Sequence, residues 1–217
     1  MSVSLINGLE DLSRELGEVS VGTSSLRIGS YNDAVQEFFN ERKWSFAIKK
    51  DTSLTTQAGV QSYNVPIDLR RPGGIKRILV GNAECLPIEW EDRNTMSGSN
   101  RNLFYLEPEN NQFTFLREIS SSGEPITIYY YAVPTRITDV GLGVFELLPD
   151  NLRKVVAYLA AAYVLWGRKM NADGNNKLLL YQRGVQNATL QQSERTTNLP
   201  KTFGNYLGRS GFRRVYP

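Results

Sequence analysis

Between Val155 and Gly167 the chain carries no charged residue and is apolar almost throughout. The run is shorter than the ~20 residues a membrane span requires, so it predicts a helix that other protein must cover. Pro149 and Asp150 suit its start. Leu152, Val155, Val156, Leu159, Ala160, Tyr163 and Val164 form a broad apolar face, and Ala157, Ala161 and Ala162 leave the remainder nearly apolar too. A helix of this kind, expected over Pro149–Met170, is buried on several sides. Its breadth exceeds what a monomer of this size should need.

Other helical patterns surround it. Leu5, Leu9, Leu12 and Leu16 recur at spacings of four, three and four, one stripe of an amphipathic helix over Ser4–Gly17. The Ser-, Gly- and Val-rich stretch Glu18–Gly29 reads as a connector. Ser30 and Asp33 form a capping signal for a second helix, with Val35, Phe38 and Phe39 on one face and Trp44 and Phe46 as aromatic anchors at its end. The polar cluster Asn171–Asn176, with Gly174, predicts a turn. A fourth helix is expected from about Asn175 to Arg195, carrying Leu178, Leu179, Tyr181, Val185, Ala188 and Leu190. The short connection makes the last two helices an antiparallel hairpin.

The middle of the chain has a different period. Strand candidates are Thr52–Thr56, Ser62–Val65, Ile75–Val80, Glu84–Trp90, Leu103–Leu106, Gln112–Leu116 and Pro125–Val133. Arg71-Pro72-Gly73-Gly74 marks a turn, and Glu107–Asn111 forms the tip of the clearest hairpin. The expected fold class is therefore α+β. It is a bundle of about four helices with an inserted antiparallel β subdomain and an extended C-terminal tail. The expected divisions are 1–48 for the N-terminal helices, 49–140 for the β insertion, 141–195 for the helical hairpin and 196–217 for the tail.

Chemistry is sparse. The chain has 25 Lys+Arg against 22 Asp+Glu and no histidine, so it lacks the side chain most used near neutral pH for proton transfer and metal ligation. Its one cysteine, Cys85, can form neither an internal disulfide nor a thiolate cluster, and suits a small apolar filler in a strand. No G-x-S-x-G, S-x-x-K or Walker pattern is present. Gly141-Leu142-Gly143 lacks the third glycine of a dinucleotide loop, because Glu146 stands there. Glu89, Glu91 and Asp92 read as a solvated turn. A lysine base or a carboxylate pair stays open, but no catalytic residue, cofactor or metal is expected. Met1–Gly8 shows no export signal, so synthesis in a host cytoplasm is expected, with no membrane partner.

The last segment, Thr196–Pro217, has no helical period and no acidic residue. Lys201, Arg209, Arg213 and Arg214 alternate with Phe203, Tyr206, Phe212 and Tyr216. Arginine and aromatic residues anchor protein interfaces. The same residues can grip nucleic acid through phosphates and base stacking, or pack on their own domain. Such aromatic content is unusual for a disordered end.

The order of these elements resembles the head–tail adaptor (connector) proteins of tailed bacteriophages. The resemblance covers roughly Tyr31–Gln191. It rests on Asn40-Glu41-Arg42-Lys43-Trp44-Ser45-Phe46, then on the strand Thr52–Thr56 with Gly59 and Tyr63-Asn64-Val65-Pro66. It continues in Ile126–Tyr131 with Pro134, and in Leu147-Leu148-Pro149 before the alanine-rich helix. It implies a virion protein that forms a dodecameric ring under the portal and extends the DNA channel without sequence-specific binding. A tail or nozzle protein would dock beneath it.

The resemblance also implies that the terminal extension reaches the portal protein, which makes Lys201, Phe203, Tyr206, Arg209, Phe212, Arg213, Arg214 and Tyr216 the portal-binding candidates. In such a ring the over-apolar helix would meet the next copy through Val156, Leu159, Tyr163 and Trp166, a head-to-tail contact. The alternatives are another tail-completion or tail ring protein, or a nucleic-acid-binding module that uses the basic tail.

Overall fold

In a computed structural model the described residues are 3–71, 73–96, 102–107, 110–141 and 143–197, with only the backbone described for 193–197. Two hydrophobic cores organise them, one helical and one inside a sheet.

The helical core begins with α1 (Leu5–Glu15). Ser4 caps it by accepting from the Asn7 amide at 3.3 Å. Leu5, Leu9 and Leu12 are fully buried, as their spacing predicts, and each such leucine stabilises by roughly 1.5–3 kcal/mol. Acidic residues on α1 and just past its end tie it to the later helices. Asp11 pairs with Arg153 at 2.5 Å, Glu15 with Lys177 at 2.7 Å, and Glu18 with Arg168 at 3.1 Å.

Helix α2 (Ser25–Glu41) starts before the position expected for it. Ser24, in extended conformation, occupies the N-cap position, while Ser30 is buried inside the helix and caps nothing. Phe38 stacks on Trp44 with centroids 4.6 Å apart, and Trp44 stacks on Phe46 at 5.5 Å. Trp44 is buried and donates its indole N–H to the Phe38 carbonyl at 2.7 Å, so a polar atom is satisfied inside an apolar stack.

A 3-10 turn at Asp150–Leu152 leads into α3 (Arg153–Gly167), followed by α4 (Asn171–Thr197). The turn between them is shorter than expected. Lys169 takes a left-handed conformation (φ 63°). Its amide donates to the Trp166 carbonyl and that of Met170 to the Leu165 carbonyl, the two bonds of a Schellman closure. Gly174, expected in that turn, lies inside α4. A Cβ there would fall 2.5 Å from the Trp166 indole, so this glycine permits a close approach and does not form the turn.

The sheet carries β2 (Ile48–Thr55), β3 (Ser62–Asn64), β4 (Ile75–Val80), β5 (Ala83–Pro87), β6 (Leu103–Leu106), β7 (Gln112–Phe115) and β8 (Pro125–Tyr131), in the order β2-β8-β4-β5-β6-β7-β3. All neighbours are antiparallel except β5 and β6. The edge strands β2 and β3 are consecutive in the chain. Lying flat, seven strands would hold them roughly 29 Å apart, beyond the ~25 Å that the connection 56–61 could span. The sheet therefore curls until it nearly closes into a barrel around Tyr63, Ile78, Phe104, Phe113, Phe115, Ile126, Ile128 and Tyr130. A separate two-stranded sheet joins β1 (Val3–Ser4) to β9 (Val144–Phe145).

This corrects the expected fold class. The chain is not a helical bundle with an antiparallel β insertion. Among the described residues a large mixed sheet, nearly closed, stands beside four helices, and the parallel β5–β6 pair breaks the antiparallel pattern. Alternating apolar residues specify a strand but not its partner, so seven strand segments were evident from the pattern while their union in one mixed, nearly closed sheet was not.

The two cores meet at Leu147, which packs against both. Beside it the sheet is tied together by Asp68. Its carboxylate accepts from Lys49 at 2.7 Å and from the Tyr130 hydroxyl at 2.8 Å. Burial and then that hydrogen bond push the Tyr130 hydroxyl well above its ordinary pKa, so it serves as a permanent donor.

Candidate assembly surfaces

Cys85 is buried on β5. Burial first, and the neighbouring Glu84 second, push its thiol up to about 11. That is the wrong direction for a nucleophile, which needs thiolate character. Glu89, Glu91 and Asp92 lie exposed at a 3-10 turn, Trp90–Arg93. Glu107, by contrast, accepts from Thr114 and Asn110, bonds that hold its pKa below the usual carboxylate range.

The residues proposed for subunit contact separate into two pairs. Val156 and Leu159 are 0% and 1% exposed, because α1, α2 and α4 all pack on α3. The all-round apolarity of α3 is met within its own chain, so these two residues offer nothing to a neighbour. Tyr163 and Trp166 are half-buried, with ring centroids 6.0 Å apart. Tyr163 donates to Glu37 on α2, and the Trp166 indole N–H donates to Asn175 at 3.2 Å. Burial and then the Glu37 hydrogen bond raise the Tyr163 hydroxyl. Both side chains stay partly exposed.

Helix α4 carries the apolar surface that the pattern did not separate from the core. Tyr181, Val185 and Ala188 are buried, and the Tyr181 hydroxyl donates to Glu41 at 2.5 Å. Leu179 and Leu190 were expected on the same face, yet they are 52% and 61% exposed, with Leu180 and Met170 partly exposed. Glu18 binds both Arg27 and Arg168, which brings exposed Val19, Val21 and Leu26 to the same end as Met170. Exposed apolar residues gathered at one end, as Val19, Val21, Leu26 and Met170 are, mark contact surfaces, while Leu190 lies roughly 30 Å further along α4.

The eight tail candidates, Lys201, Phe203, Tyr206, Arg209, Phe212, Arg213, Arg214 and Tyr216, lie outside the described residues. Among the described residues no helix is long and apolar enough to cross a membrane.

Comparison with curated proteins returns no match. The profile of the SU10 adaptor protein family matches residues 9–202, a span that includes α2, α3, α4, the whole seven-stranded sheet and most of α1. That match covers most of the chain and thus places it in the SU10 adaptor protein family, as a structural adaptor component of the phage particle.

Proposed function

We propose that the chain assembles into a ring at the head–tail junction, joining the portal protein to a tail or nozzle protein and lining the passage for the genome. Membership in the adaptor family is the observation that carries this reading. The exposed Leu179, Leu180 and Leu190 of α4 and the partly exposed Tyr163 and Trp166 support a head-to-tail contact between copies through this hairpin. The tail supplies the portal contact through Lys201, Phe203, Tyr206, Arg209, Phe212, Arg213, Arg214 and Tyr216. Twelve copies would match the ring that the resemblance implies.

Mass measurement of the protein mixed with its portal tests the ring, and a stoichiometric complex of many copies is expected. Persistent absence of any such complex overturns the reading. Removing Thr196–Pro217 should abolish co-sedimentation with the portal while circular dichroism stays unchanged. Retained attachment would remove the tail from the mechanism, and attachment to a tail tube alone would favour a tail-completion protein.

A further inference from the structure

Strand β4 is bulged where it meets β8. Ile75 lies opposite Tyr130 and Arg77 opposite Tyr129, so one extra residue, Lys76, sits between them. In a regular strand consecutive side chains point to opposite faces, and Lys76 would turn away from Arg77. A bulge re-aims a side chain, and here Lys76 and Arg77 are both exposed. Across β8, Lys50 of β2 lies directly opposite Tyr129 and is exposed too. Cross-strand partners share a face. Lys50, Tyr129 and Arg77 therefore form one row, with the Arg77 guanidinium 4.7 Å from the Tyr129 ring centre. At the foot of β4 the Lys43 ammonium lies 3.7 Å from where a side chain on Gly73 would begin.

None of Lys43, Lys50, Lys76 and Arg77 is ion-paired among the described residues. The carboxylate of Asp51, next to Lys50, accepts from the Ser53 amide. Glu84 lies one row away, opposite Leu79. Four unpaired cations against the two carboxylates of Asp51 and Glu84 leave this surface with a net positive charge, and an external anion relieves the repulsion among them. The centre of a protein interface is depleted of charged residues, whereas this surface is dense in them. Flexible cations along a row suit a phosphate backbone, which they neutralise by releasing condensed counterions.

We infer that this outer face of β2, β8 and β4 binds the phosphate backbone of duplex DNA, through Lys43, Lys50, Lys76 and Arg77, without reading sequence. The surface belongs to a single copy and needs no ring, so it stands or falls separately from the assembly reading.

Fluorescence anisotropy of the full chain with a labelled duplex, over a series of salt concentrations, tests it. Each phosphate contact contributes about −0.9 to the slope of log affinity against log salt. Replacing Lys76 and Arg77 together by Gln should make the slope shallower by about 2 and weaken binding, with an unchanged melting temperature. Arg77→Lys should restore the slope at that position. A second variant neutralises Lys201, Arg209, Arg213 and Arg214, and the difference made by Lys76 and Arg77 should persist in it. The inference is overturned if the sheet variant binds with unchanged slope, if only the tail variant alters it, or if the wild type fails to bind duplex at low salt. Equally tight binding of poly-glutamate would overturn it in favour of an acidic protein partner.

Discussion

Arg153, in the first turn of α3, donates to the Asp11 carboxylate of α1 at 2.5 Å, joining residues 142 positions apart in the chain. Asp11 is nearly buried, and Arg153 also reaches Asp150. Removing one partner of a covered ion pair leaves the other desolvated. Asp11→Ala should therefore cost about 2 kcal/mol. Urea unfolding should show a lower midpoint with an unchanged slope.

Two helical glycines should respond oppositely to alanine. A Cβ on Gly8 would fall 2.3 Å from the buried Tyr31 ring, so Gly8→Ala should lose about 1–3 kcal/mol by overpacking. Gly29, within α2, has open space around it. Gly29→Ala should gain about 0.5–1 kcal/mol, because alanine loses less backbone entropy on folding. Thermal unfolding of both variants checks the signs.

Lys169 holds a left-handed conformation that a glycine adopts without cost. Lys169→Gly should raise stability by about 1 kcal/mol, read as an upward shift in melting temperature. A fall would mean that the lysine side chain makes a contact that outweighs its backbone.

The Cys85 thiol has its pKa raised from 9.0 to about 11 in the fold. The unfolded chain releases that proton first, so this contribution is complete below pH 9 and is lost as pH climbs from about 9 towards 11. Denaturant midpoints of the wild type should fall across that window more steeply than those of Cys85→Ala. Alkylation of the native thiol near neutral pH should be slow and should accelerate on unfolding.

Replacing Leu179 and Leu190 by Ser should change stability by no more than about 0.5 kcal/mol each, since both are exposed. On the assembly reading the same double variant should reduce self-association on the portal, measured by mass. Stability retained together with full assembly would move the subunit contact elsewhere.

The pattern located helices well where one face alone is buried. The leucine stripe of α1 is such a case, whereas the ion pairs of Asp11 and Glu15 on α1 and of Glu18 beyond its end depend on cations far away in the chain. Strand positions were legible too, from Ser62 to Tyr131. The second helix start failed because Ser30 and Asp33 satisfy the spacing of a cap inside a helix already begun at Ser25. The cationic row on the sheet was not legible, since Lys50 and Arg77 are joined only by strand pairing across β8, and Lys76 only by a bulge.

The sequence by itself determined the type and order of most elements, the absence of histidine chemistry and the need to bury α3 on all sides. Tertiary structure alone decided who buries it, and the answer was α1, α2 and α4 of the same chain. It also decided that seven short strands curl into a mixed, nearly closed sheet. The physical reason is common to both. Apolar periodicity records that a face leaves water, while the identity of the covering surface depends on contacts between distant residues that no local pattern encodes.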